Sequence, residues 1–453
     1  MTRLPRLILG LLTLPLFAST LLASPAFADD KVTTFTLPNG LNAIVIEDHR
    51  TPVVTHMVWY RAGAADEKRG KSGIAHFLEH LMFKGTPTVP TGEFSRVVEA
   101  NGGYDNAFTT EDQTAYFQRI ASDRLDLVMR MEADRMRNLT LSESDVTTER
   151  QVIIEERNLR TDSSPEALFS EQLDAAQYLN HPYGTPTIGW RQEVEGLTRQ
   201  DALDWYGRFY APNNATLIVA GDVNPADVEK MAKEFYGPLQ PSEGIGPRIR
   251  PQEPQQLAER RLTFVDPGIG QDYLTRSYLA PQRKTGNQAE AAALTVLAEL
   301  LGGGPTSVLN KALVMDQKRA VSAGAHYDGA ALDPTTFSLY AVPVEGVRLS
   351  DLEGALDKVL ADFLDKGVDP AAFARLKTRM KADLIYRQDS AGDLAEDYGS
   401  AVTSGLTVAD VQAWPAALQA VTEDDVLAAA KHVLDRRQSV TGFAMAKAEE
   451  PAK

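Results

Sequence analysis

Cysteine is absent from the chain, which excludes disulfides and a lipid carried on cysteine and leaves stability to packing. Basic residues are in deficit, 46 Lys and Arg against 62 Asp and Glu, for a formal charge of −16. A surface of that sign repels nucleic acid and anionic membranes, and attracts basic peptides where the charge gathers near a site. Long apolar runs are missing as well, with one exception. Leu7 to Ala23 follows Arg3 and Arg6, is interrupted by Pro15, and leads to Ala26-Phe27-Ala28, the small-x-small form that signal peptidase cuts. Residues 1–28 are therefore expected to be a cleaved secretory signal rather than a membrane anchor. The mature protein is then expected in the periplasm, with neither membrane nor nucleic acid as partner.

What is present describes a soluble globular protein of 453 residues, 43% hydrophobic and 24% charged, long enough for two cores. Strand patterns run from Val32 to Leu37, Leu41 to Ile46 and Val53 to Tyr60, around a Pro38-Asn39-Gly40 turn. Helical periods follow from Ser72 and at Phe94–Asn101, Asp123–Asn138, Glu143–Arg160 and Pro165–Tyr178, before a strand at Ala215–Ala220. Pro241, Pro247, Pro251 and Pro254 with Gly244 and Gly246 then break regular structure. The second half repeats the order: strands Arg261–Val265 and Tyr273–Leu279, helices from Gln288 and Thr306, strands Val321–Tyr327 and Thr336–Val342, two long helices, and a strand Ser439–Ala446. The expected fold class is α+β, two similar domains (29–240 and 259–447), each a mostly antiparallel sheet packed with helices, joined by a Pro/Gly-rich linker (241–258) and closed by a short tail (448–453).

Chemistry concentrates at His76-Phe77-Leu78-Glu79-His80. On a helix, His76 and His80 project from one face and Glu79 stands one turn from His76 on the same side. Two imidazoles can bind zinc at about 2.0–2.1 Å, and a carboxylate beside the open position can take a proton from bound water. Phe77, Leu78, Leu81, Met82 and Phe83 would hold this helix in an apolar core, a costly place for three ionisable groups without a task. A third ligand is still required. Glu149 and Glu156, about two helical turns apart, share a face, while the neighbouring Glu155 points about 100° away. The other histidines, His49, His56, His181, His326 and His432, have no comparable spacing and are expected to be structural or exposed. Leu301-Gly302-Gly303-Gly304-Pro305-Thr306 lacks the lysine of a phosphate loop and reads as a helix end.

Together these residues resemble the pitrilysin/insulinase family of inverted-motif zinc peptidases, in its short bacterial and mitochondrial processing-peptidase branch. The likeness rests on Leu37-Pro38-Asn39-Gly40-Leu41, Gly73 to Thr86, Asn106-Ala107-Phe108-Thr109-Thr110, Glu132-Ala133-Asp134-Arg135-Met136, Glu149 to Glu156, His181-Pro182-Tyr183-Gly184 and Pro212-Asn213-Asn214-Ala215. The resemblance implies one Zn2+ per chain held by His76, His80 and Glu156, with Glu79 as general base and Glu149 in support. It also implies an edge strand at Asn106, Ala107, Phe108 and Thr109 that pairs with peptide substrate. The family's arginine and tyrosine, which stabilise the oxyanion from the second domain, fall on Val314 and Val321; Arg319 and Tyr327 lie nearby but off register. The expected function is an exported zinc endopeptidase working in a closed two-domain chamber, paired with a homologous subunit that carries the arginine and tyrosine, or as a homodimer. The alternative is a non-catalytic peptide-binding or assembly subunit.

Overall fold

The computed structural model describes residues 32–448 apart from Gln388; the expected signal, 1–28, and the tail beyond 448 lie outside the described residues. Two sheets organise the chain. In the first, β1 (Val32–Thr36), β2 (Asn42–Glu47), β3 (Val53–Tyr60), β4 (Tyr104–Thr109), β5 (Thr114–Ala121) and β6 (Ala215–Gly221) lie in the order β1-β2-β6-β3-β5-β4. Only β2 and β6 run parallel. The second sheet holds β7 (Arg260–Val265), β8 (Tyr273–Ala280), β9 (Ala320–Tyr327), β10 (Thr335–Pro343) and β11 (Ser439–Met445) in the order β7-β11-β8-β10-β9, with β7 and β11 parallel. Without β1 the two orders match strand for strand, and the parallel pair occupies the same place in each. The halves are thus similar α+β units at the level of topology, as the order of elements in the sequence predicts.

The first half carries α1 (Ile74–Leu81), α2 (Glu93–Ala100), α3 (Leu125–Asn138), α4 (Glu143–Arg157) and α5 (Pro165–Gln177). Strand β6, Ala-Thr-Leu-Ile-Val-Ala-Gly, is buried along its whole length, as a strand covered on both faces must be. Val45, Val58, Leu217 and Val219 pack with α1 and α3 in the main core. Ile44, Met57, Trp59 and Ile218 face the other way, onto Ala395 and Tyr398 of the helix Ala391–Thr403. That helix belongs to the second half. In return α5, from the first half, sets Phe169 and Leu173 against Val440 and Ala444 of β11. Both crossings depend on a glycine. A Cβ at Gly399 would lie 2.0 Å from the Trp59 ring, and one at Gly442 would lie 2.5 Å from the Phe169 ring, so only a bare backbone lets the layers approach.

Residues 240–259 form neither helix nor strand, yet the segment is stitched down. Arg248 pairs with Asp66 at 2.6 Å, and Arg250 pairs with Asp112 at 2.5 Å and Asp333 at 3.1 Å, tying both halves to it. Two expected helices differ from the sequence reading. The one reaching Arg160 is α-helical only to Arg157 and continues as a π turn, Asn158–Asp162, held by Arg157 on Asp162 at 3.1 Å and Arg191 on Asp162 at 2.8 Å. The one expected from Thr306 is a π-helical stretch, Asn310–Asp316, in which the Gln317 N–H reaches five residues back to Ala312 at 3.0 Å. No helix among the described residues is long and apolar enough to cross a membrane.

Candidate metal centre

Helix α1 buries Ile74, Ala75, Phe77, Leu78 and Leu81, which fixes its rotation and turns His76 and His80 together toward α4. Their ring centroids are 4.7 Å apart. Helix α4 starts at a capping box, in which Ser142 Oγ accepts from the Asp145 N–H and Asp145 accepts from the Ser142 N–H. Its buried stripe, Val146, Glu149 and Ile153, sets Glu149 against α1. Glu156 follows one turn beyond Ile153, whereas Glu155 stays exposed and accepts from Asn158 Nδ2.

Three donor atoms, one each from His76, His80 and Glu156, converge within 4.8 Å of one another. His80 Nε2 lies 3.4 Å and His76 Nε2 3.7 Å from Glu156 Oε2. Ligands at about 2.1 Å from a tetrahedral ion sit about 3.4 Å apart, so the spacing suits one small divalent cation. Glu156 Oε2 is buried without a hydrogen-bond donor, an orphaned acceptor of the kind a cation would satisfy. Two imidazoles with one carboxylate form a zinc-type donor set.

The partners of these groups divide their work. His80 Nδ1 bonds Glu149 Oε1 at 2.9 Å, and Lys84 Nζ bonds the other Glu149 oxygen. Arg160 holds Glu156 Oε1 at 2.8 Å, leaving Oε2 to the rings. Burial disfavours a charged His80 ring, but the carboxylates of Glu149 and Glu156 outweigh it and push its pKa up to about 9. His76 goes the other way, to about 4, because it is buried deeper and faces His80. The His80 ring, 3.4 Å from Oε2, leads in holding the Glu156 carboxyl down. Burial raises the pKa of Glu79 against the opposing bond from Thr109 Oγ1, 2.5 Å from Glu79 Oε2.

Among the described residues strand β4 is an edge of the first sheet, paired only with β5. Asn106, Ala107 and Phe108 therefore line an open rim, and Thr109 at its end reaches Glu79. Val314 is partly buried against the second core, and Val321, the second residue of β9, is 50% exposed. Tyr327 is buried and donates its hydroxyl to the Pro281 carbonyl at 2.5 Å, so it is engaged within the second half. The other histidines do not join this cluster: His56 is buried between Gln118 and Tyr236, His181 pairs with Asp333, His49 and His432 pair with surface acids, and His326 is exposed on β9. The sequence reading missed Lys84 and Arg160: Arg160 stands four residues beyond its partner Glu156, a spacing that could have found it, whereas Lys84 lies past the end of α1 and reaches Glu149 of another helix, which no spacing reveals.

Residues 43–190 match the family Insulinase (Peptidase family M16), and residues 196–380 match the Peptidase M16 inactive domain. The chain belongs to peptidase family M16. Among M16 relatives, the zinc protease PqqE of Helicobacter pylori is 33% identical over 362 residues, 80% of this chain and 81% of that one. The crystal structure of a protease from Helicobacter pylori shares the fold at a TM-score of 0.86 and 29% identity, covering 92% of this chain and 99% of that one. The periplasmic protease PqqL of Escherichia coli matches at a TM-score of 0.81 and 20% identity, over 93% of this chain but 49% of the other. In the second half of this M16 chain the helix following β8, Ala289–Gly302, occupies the chain position that α1 holds after β3, and it contains no histidine.

Proposed function

We propose that the chain is an exported zinc-dependent endopeptidase in which His76, His80 and Glu156 hold one Zn2+ and Glu79 is the general base. The observation that carries this reading is the convergence of three donor atoms around the orphaned Oε2 of Glu156; relatives named zinc proteases support the choice of metal. When bound, zinc polarises a peptide carbonyl and lowers the pKa of water to about 7. Glu79, kept basic by burial and aimed by Thr109, accepts the proton of the attacking water and returns it to the leaving amine. Glu149, anchored by Lys84, holds the His80 ring so that Nε2 faces Glu156. The backbone of Asn106, Ala107, Phe108 and Thr109 offers an edge to an extended peptide, which would then lie beside the base. Valines at 314 and 321 leave the second half without an oxyanion donor at those positions, and we assign that role to a homologous partner subunit that carries the arginine and tyrosine, with a homodimer as the alternative assembly. The pattern of residues 1–28 supports a periplasmic location.

Zinc content and peptide hydrolysis, measured on wild type, His80→Ala and Glu79→Gln, test the reading. The wild type should hold one zinc, His80→Ala should lose it, and Glu79→Gln should keep it while hydrolysis falls by about 10²-fold or more. A metal-free wild type would instead favour a non-catalytic peptide-binding or assembly subunit. Hydrolysis by the chain alone should be weak, since one missing oxyanion donor costs on the order of 10²–10³ in rate; full activity without a partner removes the heterodimer from the proposal.

A further inference from the structure

Two cations serve the metal centre, and they differ in what they leave free. Lys84 is sunk against Glu149, its side chain 20% exposed. Arg160 is 75% exposed and reaches Glu156 Oε1 through one nitrogen, Nη1, at 2.8 Å. A guanidinium carries five N–H groups, and Arg160 has no other hydrogen bond or ion pair among the described residues. Its mount is firm although its head is free. Arg160 lies inside the π turn Asn158–Asp162, whose Ser163 N–H reaches five residues back to Asn158 at 3.0 Å. Arg191 bonds Asn158 Oδ1 at 2.5 Å and Asp162 Oδ2 at 2.8 Å, and Arg157 bonds Asp162 at 3.1 Å. Such turns are rare within helices and frequent at functional sites.

An ion pair with so exposed an arginine contributes little to stability, so stability gives little reason for the arrangement. Its place gives a better one. Glu156 turns Oε2 to the two rings while Arg160 holds Oε1, which sets a cation on the solvent side of the metal centre. Burial raises the pKa of Glu79, and after His80 and Glu156 the charge of Arg160 also acts on it, so the guanidinium lies within electrostatic reach of the base. Hydrolysis needs positive charge where negative charge develops: as the water oxygen bonds the peptide carbon, the π pair of the carbonyl passes to its oxygen and the water proton passes to Glu79. Valines at 314 and 321 supply no such charge from the second half. We propose that Arg160 is a further catalytic residue, whose free N–H groups bind the scissile carbonyl oxygen of a peptide lying along β4 and stabilise the charge that gathers there. The inference rests on the zinc-peptidase reading above and adds to it a donor within this chain, on which the weak hydrolysis by the chain alone depends.

Arg160→Met, a change at an exposed side chain that leaves the core intact, tests it on the zinc-loaded full chain with two readouts. In peptide hydrolysis kcat should fall about tenfold or more while KM and zinc content stay near wild type, the mark of an interaction made only in the transition state, and Arg160→Lys should recover part of the loss. In calorimetric titration a phosphinic peptide, whose tetrahedral phosphinate imitates the charged oxygen, is set beside the ordinary peptide of the same sequence. Arg160→Met should weaken the phosphinic peptide about tenfold and the ordinary one less than twofold. An equal loss for both peptides overturns the inference, as does wild-type behaviour of Arg160→Met in both readouts. Glu79→Gln keeps the two readings apart. Hydrolysis abolished by Glu79→Gln but untouched by Arg160→Met removes the role of Arg160 alone, whereas hydrolysis that survives Glu79→Gln, or a wild type that neither holds zinc nor cleaves peptide, removes the zinc-peptidase reading and this inference with it.

Discussion

Replacing Lys84 by methionine asks how far the metal centre depends on a residue that touches none of its three donors. Lys84 holds one oxygen of Glu149 while the other bonds His80. Its side chain is 20% exposed and that of Glu149 is 10% exposed. This pair is therefore better shielded than a surface ion pair, for which ~0–1 kcal/mol is usual. A hydrogen bond to a charged group is worth ~1.5–3 kcal/mol, or about tenfold to a hundredfold in an equilibrium constant, the same span by which outer partners of metal ligands affect metal affinity. Methionine keeps the length and apolar stem, so about a tenfold loss of zinc affinity is expected, with recovery in Lys84→Arg. Arg160 supplies the contrast: its partner Glu156 is as well buried, but Arg160 itself is 75% exposed, and Arg160→Met should stay within about fivefold of wild type. Equilibrium competition with a chromophoric zinc chelator at fixed pH reads both. The reasoning fails if Lys84→Met binds zinc as wild type does while Glu149→Gln does not, or if Arg160→Met costs more than Lys84→Met.

Two further perturbations address the joints between the halves. Gly399→Ala places a methyl group inside the Trp59 ring envelope, where 2.0 Å separates the positions; it should destabilise the protein by about 1–3 kcal/mol in urea unfolding, and a neutral result would mean that the helix and sheet slide apart freely. For Asp333→Asn the effect depends on pH. Burial raises the Asp333 carboxyl, but His181 and Arg250 outweigh it and hold its pKa down to about 2, below the ordinary 3.8. The stabilisation is thus fully present above the ordinary value and is lost as pH falls toward about 2. Asp333→Asn should be about 1 kcal/mol less stable near neutrality, after allowance for solvent screening, with the gap closing between about pH 4 and pH 2; urea unfolding of the metal-free proteins across that range would contradict this by showing a constant gap.

Local chemistry makes the proposed metal centre legible in the sequence. The four-residue spacing of His76 and His80, and the seven-residue spacing of Glu149 and Glu156, are statements about helix faces, and α1 and α4 satisfy them directly. Strand patterns likewise foretell β1, β2, β3 and β6 and the whole second sheet, whereas β4 comes with the resemblance and β5 escapes. What escapes is long-range or irregular. No periodicity reveals that Gly399 must meet Trp59, a residue 340 positions earlier, or that proline-rich residues 240–259 are pinned by Arg248 and Arg250. The π turn at Asn158–Asp162 depends on Arg191 arriving from elsewhere in the chain. The late helices Val408–Ala420 and Glu423–Val433 escape despite visible signals: Thr407 with Asp410 and Thr422 with Asp425 form capping boxes.

The exchange of covering helices between the halves also constrains how the molecule comes into being. During synthesis the first sheet is complete once β6 has emerged, but the face carrying Ile44, Met57, Trp59 and Ile218 stays bare until residues 391–403 arrive. Meanwhile α5 presents Phe169 and Leu173 to a sheet in which an interior strand, β11, is the last of the described strands to be made. Neither half can finish alone, and a chain cut between them exposes an apolar sheet face that invites aggregation. A chain built this way is expected to fold late and as a whole.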